Sequence, residues 1–198
     1  MFNKKTVFFI LPLFVLSSCL DVDTINIYVY PEKNHIFQGH ARVEFVNIHS
    51  TEKYPEKNQR DMQNFFQNYE KDALNIAVSM GLKDHKTRLM NRRPLSADAE
   101  LTGEFNSLVS VLAVFLESSE FKLEGSSRRF SFNRKNSSGE FENVNLIIVF
   151  PGKIVSHNSK KFEPKTGTMK WNFSKTGDQE ISFILESIDE PEYSPTPK

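Results

Sequence analysis

Residues Ile25–Phe45 read INIYVYPEKNHIFQGHARVEF, and their pattern decides the fold. Ile25, Ile27 and Val29 alternate with Asn26, Tyr28 and Tyr30. Period two is the signature of a strand with one face buried. Pro31-Glu32-Lys33-Asn34 is a turn. Phe37, Ala41, Val43 and Phe45 then alternate with Gln38, His40, Arg42 and Glu44. Two alternating runs around one turn predict an antiparallel hairpin.

The period changes after a polar loop expected over Thr51–Asn58. Met62, Phe65, Phe66, Tyr69, Ala73, Ile76, Ala77 and Met80 follow the three-four spacing of one helix face. Gly81 is placed to stop that helix. A helix with one apolar face needs a flat partner, and the hairpin sheet supplies it. Lys83–Met90 suits a strand, whereas Ala99–Phe105 fits a strand or a helix entry. Leu108, Val109, Leu112, Val114, Phe115 and Leu116 predict a short buried helix ending near Ser118.

The remainder reads as β. Phe121 with Leu123, and Phe130 with Phe132, suggest brief strands; Asn136-Ser137-Ser138-Gly139 is a turn. VNLIIVF (144–150) is a continuous apolar run suited to a central strand. Met169, Trp171 and Phe173 share one face of a further strand, and Ile181, Phe183 and Leu185 form the last. The fold class expected is α+β: a mostly antiparallel twisted sheet with one long and one short helix packed on one face. One domain, residues 25–188, holds all of this, with a polar Pro-rich tail over 189–198 and no internal repeat.

The start of the chain concerns address. Lys4 and Lys5 precede TVFFILPLFVL (6–16), an apolar run of signal-peptide length. It falls short of the roughly 20 residues a spanning helix needs. Leu16-Ser17-Ser18-Cys19 follows, and Cys19 is the chain's one cysteine. This order resembles the lipobox of bacterial lipoproteins. The resemblance implies cleavage between Ser18 and Cys19, acylation of Cys19 (a palmitate-type chain), and residues 19–24 as a lipidated tether. Position 20 is Leu rather than Asp, which favours the outer membrane where an organism has two.

Composition sets further bounds. Basic and acidic residues balance at 25 each, so no net positive field invites nucleic acid. With Cys19 acylated the domain has no disulfide, and packing alone must stabilise it. The 18 phenylalanines supply that packing.

Two late stretches, VFPGKIVSHN (149–158) and TGTMKWNF (166–173), belong together. Pro151 and Gly152 break a strand, with Gly152 free to take a positive φ. Asn158 suits a turn that it bonds through its side chain, and Trp171 needs a partner for its N–H. With Lys153 and Thr168, these residues resemble the LppM-like domain of bacterial lipoproteins, as does the opening hairpin with its Tyr-Pro turn. That resemblance implies an envelope lipoprotein with an apolar pocket for a lipid-like ligand.

No catalytic constellation assembles. His35, His40, His49, His85 and His157 show no metal-ligand spacing, and GxSxG, Walker and GxGxxG motifs are missing. No enzyme, metal or cofactor is therefore expected. Arg88, Arg92, Arg93, Arg128 and Arg129 suit solvated loops or anionic headgroups. Two tasks remain open for the domain. One is an apolar ligand held between sheet and helix, lined by Phe65, Phe66, Tyr69 and Trp171. The other is a solid-cored module that meets other envelope proteins. The membrane, through the N-terminal lipid, is a partner in both.

Overall fold

The computed structural model describes residues 20–32, 37–113, 116–124, 127–134, 143–174, 177 and 180–186. The lipobox with Ser18 and Cys19, the 136–139 turn and the 189–198 tail lie outside the described residues. The chain is α+β, as its periodicity predicts. Strand β1 (Leu20–Pro31) and strand β2 (Gly39–Ser50) form the expected hairpin, in register from Leu20↔Ser50 to Pro31↔Gly39. Helix α1 (Pro55–Ser79) crosses over to β3 (Leu82–Arg93), and β4 (Ser96–Phe105) returns antiparallel between β3 and β2. After α2 (Leu108–Ala113) come β5 (Leu116–Glu124), β6 (Ser127–Arg134) and β7 (Asn143–Val149). Then follow β8 (Ile154–His157), β9 (Lys161–Glu163), β10 (Thr168–Ser174) and β11 (Glu180–Glu186).

These strands make two sheets rather than one. A seven-stranded sheet has the order β3-β4-β2-β1-β7-β10-β9, and a four-stranded sheet has β5-β6-β11-β8. In the larger sheet β1 and β7 run parallel and the other described pairs are antiparallel. Ile25, Ile27 and Val29 stand level with Val144, Leu146 and Ile148, and these with Phe173, Trp171 and Met169. One face is thus a continuous apolar floor. α1 covers its β2-β4-β3 side with Met62, Phe65, Ile76, Ala77 and Met80, all buried. The smaller sheet covers its β10 side, where Phe183 meets Trp171 with ring centroids 6.2 Å apart and stacks on Phe130 at 4.9 Å.

Several boundaries differ from expectation for local reasons. α1 starts at Pro55, inside the expected loop, because proline's fixed φ and missing N–H suit a helix's first turn. Its other end is as predicted: Gly81 has φ 67° and donates to the Val78 carbonyl. Ala99–Phe105 is strand, with Ala97, Ala99, Leu101 and Phe105 buried on the core side. The short helix ends at Ala113, and Leu116 already begins β5. An apolar run of that length does not distinguish helix from strand. Residues 20–24, expected as tether, lie in β1 and pair with β2.

Gly39 shows why the hairpin needs a glycine there. A Cβ at this position would stand 2.2 Å from the Tyr30 carbonyl oxygen and 2.9 Å from the Pro31 Cα. Both obstacles are backbone and cannot rotate away. Gly39→Ala should therefore lower stability by about 2–3 kcal/mol, in the upper range for single substitutions. Urea denaturation followed by circular dichroism would show the midpoint fall at unchanged slope.

Candidate functional site

The residues expected to line one apolar pocket fall in different parts of the core. Phe65, 3% exposed, is on the buried face of α1, with Phe66 and Tyr69 rings at 5.7 and 6.4 Å. Phe66 and Tyr69 are only partly buried, and the Arg92 guanidinium sits 4.1 Å above the Phe66 ring. Trp171, 1% exposed, belongs to the seam between the two sheets.

That seam explains the late sequence motif. Pro151 and Gly152 are where the chain leaves the large sheet at β7 for the small one at β8; Asn158 and Ser159 are where it returns to β9. Asn158 Oδ1 accepts from Trp171 Nε1 at 2.8 Å and from the Ser182 N–H at 2.9 Å. Its Nδ2 donates to the Glu180 carbonyl at 3.0 Å, and its own N–H to the Ser182 carbonyl at 3.0 Å. One side chain thereby ties β10 of one sheet to β11 of the other. It also supplies the partner that a buried indole N–H requires. Pro151 and Gly152 form the expected bend, though Gly152 does not take the positive φ open to it. Its constraint is contact: a Cβ would lie 2.5 Å from the Phe150 ring.

The opposite face of the large sheet is polar and, among the described residues, has no helix on it. Its middle row crosses six strands in register: Arg88, Glu100, Glu44, Asn26, Asn145 and Asn172. The hydrogen bonds along the row share one direction. Asn172 Nδ2 donates to Asn145 Oδ1 at 2.9 Å, and Asn145 Nδ2 to Asn26 Oδ1 at 2.9 Å. Asn26 Nδ2 then donates to Glu44 Oε2 at 3.4 Å. A carboxylate only accepts, so Glu44 sets the orientation of every amide in the chain. Arg42 Nη2 meets the other Glu44 oxygen at 3.3 Å, and its guanidinium covers the Tyr28 ring at 4.2 Å. Glu100, 8% exposed, is paired with Arg88 Nε at 2.8 Å. Burial, then the charge of Glu44 and a hydrogen bond to it, push the Tyr28 hydroxyl up from its ordinary pKa, with Arg42 opposing.

The Gly39 end of this face holds a depression of about 410 Å³. Tyr30, His40, Arg42, Lys86, Thr102 and Glu104 are among its lining residues. Asp84 joins them at a bulge of β3, with φ 45°. Two more bulges near the other end, with Asn47 at φ 54° and Asn91 at φ 47°, are fixed by one carboxylate. Asp98 accepts from the Asn47 N–H at 2.8 Å and from Asn91 Nδ2 at 2.6 Å. Asn and Asp tolerate the left-handed region better than other side chains.

This face was the part sequence reasoning missed. Asn26 was legible as an outward residue, but Asn145 sits inside an apolar run and Asn172 beside Trp171. The signal was one Asn on the outward side of each of three strands, and only their register makes it a row. Among the described residues no group of three His, Cys, Asp or Glu side chains is placed to hold a metal ion. Nor is any described helix long and apolar enough to cross a membrane. The chemistry available is hydrogen bonding and mixed charge around two tyrosines.

No protein-family profile and no curated protein matches the chain. Among solved structures, it is similar to the NMR structure of the folded domain of the Mycobacterium tuberculosis LppM protein. The identity is 11% and the TM-score 0.46, over 87% of this chain and 92% of that one.

Two substitutions check the site. Asn158→Ala leaves the Trp171 and Ser182 N–H groups without their acceptor and should cost about 1–3 kcal/mol. Asn158→Asp keeps that acceptor but sets an oxygen against the Glu180 carbonyl in place of the Nδ2 donor, so it should recover only part of the loss in thermal unfolding followed by tryptophan fluorescence. Glu44→Gln removes the negative charge beside Tyr28, so the phenol should ionise at lower pH than in the unaltered protein. Ultraviolet titration of tyrosinate reads this against a Tyr28→Phe control.

Proposed function

We propose that the chain is a cell-envelope lipoprotein, acylated at Cys19, whose domain acts without catalysis by presenting the open polar sheet face to other envelope components. The order of Lys4-Lys5, the apolar run 6–16 and Leu16-Ser17-Ser18-Cys19 carries this reading. Cleavage before Cys19 would leave every described strand and helix, from Leu20 on, in the mature chain. Each CH₂ of an acyl chain buried in the bilayer contributes about 0.8 kcal/mol, so two or three chains would hold such a domain stably. The outer membrane is its expected site in an organism with two, because Leu rather than Asp follows the cysteine.

Between the two tasks open at the sequence level, packing favours the interaction module. The space between α1 and the sheet is occupied by the protein's own Met62, Phe65, Ile76, Ala77 and Met80. The second reading, an apolar ligand between sheet and helix, draws support from Phe66 and Tyr69. Their partial exposure beside Phe65 offers an apolar edge for a lipid-like molecule.

One mass measurement on protein purified from cells addresses anchor and ligand together. Acylation predicts a mature mass starting at Cys19 with added acyl chains, and Cys19→Ser should abolish this and leave the uncleaved precursor. Normal processing of Cys19→Ser would refute the anchor. Under native conditions the interaction reading predicts no further apolar species, and a stoichiometric one would instead establish the ligand reading.

A further inference from the structure

We infer that the end of the domain formed by the start of β1, the start of α1 and the β3–β4 turn lies directly on the lipid surface. The strands would then stand away from the membrane with the depression at their far end. This inference rests on the lipoprotein reading and adds an orientation to it. Its ground is the lack of slack. Consecutive Cα atoms are about 3.8 Å apart, so Leu20 begins one residue from an acylated Cys19. Leu20 cannot swing free, because it pairs with Ser50 and packs against the core.

The topology places a defined surface at that end. Ser50 pairs with Leu20, His49 pairs with Ser96, and Ser96 pairs with Arg93. The β3–β4 turn therefore stands level with the start of β1. The first turns of α1 join it through Ser50 Oγ, which donates to the buried Asp61 carboxylate at 3.0 Å. Arg92 over the Phe66 ring ties the end of β3 to the same helix. The surface exposes Tyr54 at 65% and Leu95 at 47%, two of the large apolar side chains the domain leaves in solvent. Lys53 and Arg93 flank them, exposed and making no ion pair among the described residues. Acids share this end: Glu52 meets Lys57 at 3.9 Å, Asp23 accepts from Asn47 Nδ2 at 2.7 Å, Asp21 accepts from the Val22 N–H at 2.7 Å, and Glu56 is exposed.

An aromatic and an aliphatic tip ringed by long cations is the chemistry of a bilayer interface. Tyrosine sits at headgroup level, and lysine and arginine extend their charges to lipid phosphates. β1 spans roughly 36 Å from Leu20 to Pro31 at about 3.3 Å per residue. The depression beside Tyr30 would thus lie several Debye lengths from the headgroup charges. It would face the periplasm or exterior rather than the lipid.

The full chain, isotopically labelled in a bacterial host, tests this. Its intact mass is measured first, and it is then placed in nanodiscs of phosphatidylcholine and phosphatidylglycerol carrying a headgroup-nitroxide lipid. Amide signals of Tyr54, Arg93 and Leu95 should broaden several-fold more than those of Gly39, Leu82 and Glu104. Acylated protein with equal broadening at both ends, or more at Gly39, would overturn the orientation and leave the lipoprotein reading intact. An intact mass without acyl chains would overturn that reading, and the orientation with it.

Discussion

The parallel pairing of β1 with β7 holds the two halves of this protein together. On one side of it lie β2, β4 and β3, built by the β1–β2 and β3–β4 hairpins and the α1 crossover between them; on the other lie β10 and β9. Residues about 119 apart in sequence become neighbours there, as Asn26 and Asn145 do. Closing so long a loop is entropically unfavourable, though the cost grows only slowly with length. Ile25, Ile27, Val29, Leu146 and Ile148 offset it by complete or near-complete burial. Each such side chain contributes about 1.5–3 kcal/mol relative to exposure. With one cysteine the chain has no internal disulfide to add to this.

Once that pairing exists, the sheet-switching segments follow. β7 belongs to the large sheet, β8 to the small, β9 and β10 to the large, and β11 to the small again. Each switch exposes backbone groups that neither ladder satisfies. Asn158 meets this need at the β8–β9 crossing, with side-chain bonds to Trp171, Ser182 and Glu180. Ser159 does the same one residue later, accepting from the Lys170 N–H at 2.9 Å. Phe150 closes the first crossing, donating its N–H to the Gly167 carbonyl at 3.0 Å with its ring against Gly152.

Period and punctuation made much of this legible in the residues. The 25–45 alternation predicted the hairpin, and the three-four spacing from Met62 predicted α1 and its stop at Gly81. The need of Trp171 for a partner, and the suitability of Asn158 for a side-chain bond, were both readable; that each serves the other was not. What stayed hidden depends on long-range register. Period two says that Ile25 is buried, and the apolar run 144–150 says so of Leu146, but neither says that they share a sheet while Phe183 meets Trp171 from another. The same blindness covers the outward row: Asn26, Asn145 and Asn172 are ordinary polar residues until three strands align them. Pro55 misled for a different reason, since proline ends a helix in its interior and favours it at the first turn.

The polar face is not equally available along its length. In its middle, Glu44 is engaged by Asn26 and Arg42, and Glu100 by Arg88. A partner binding there would have to replace bonds that already satisfy one another, so its net gain per bond would be small. At the Gly39 end the pattern changes: Tyr30, His40, Lys86 and Glu104 are exposed around a concave surface. Groups that now bond water can exchange it for a partner at lower cost, and concavity lets several do so together. The amide row is thus best understood as the stiffener that keeps β1, β2, β7 and β10 in register. A partner of the kind proposed would meet the face at the end of the strands farthest from Leu20.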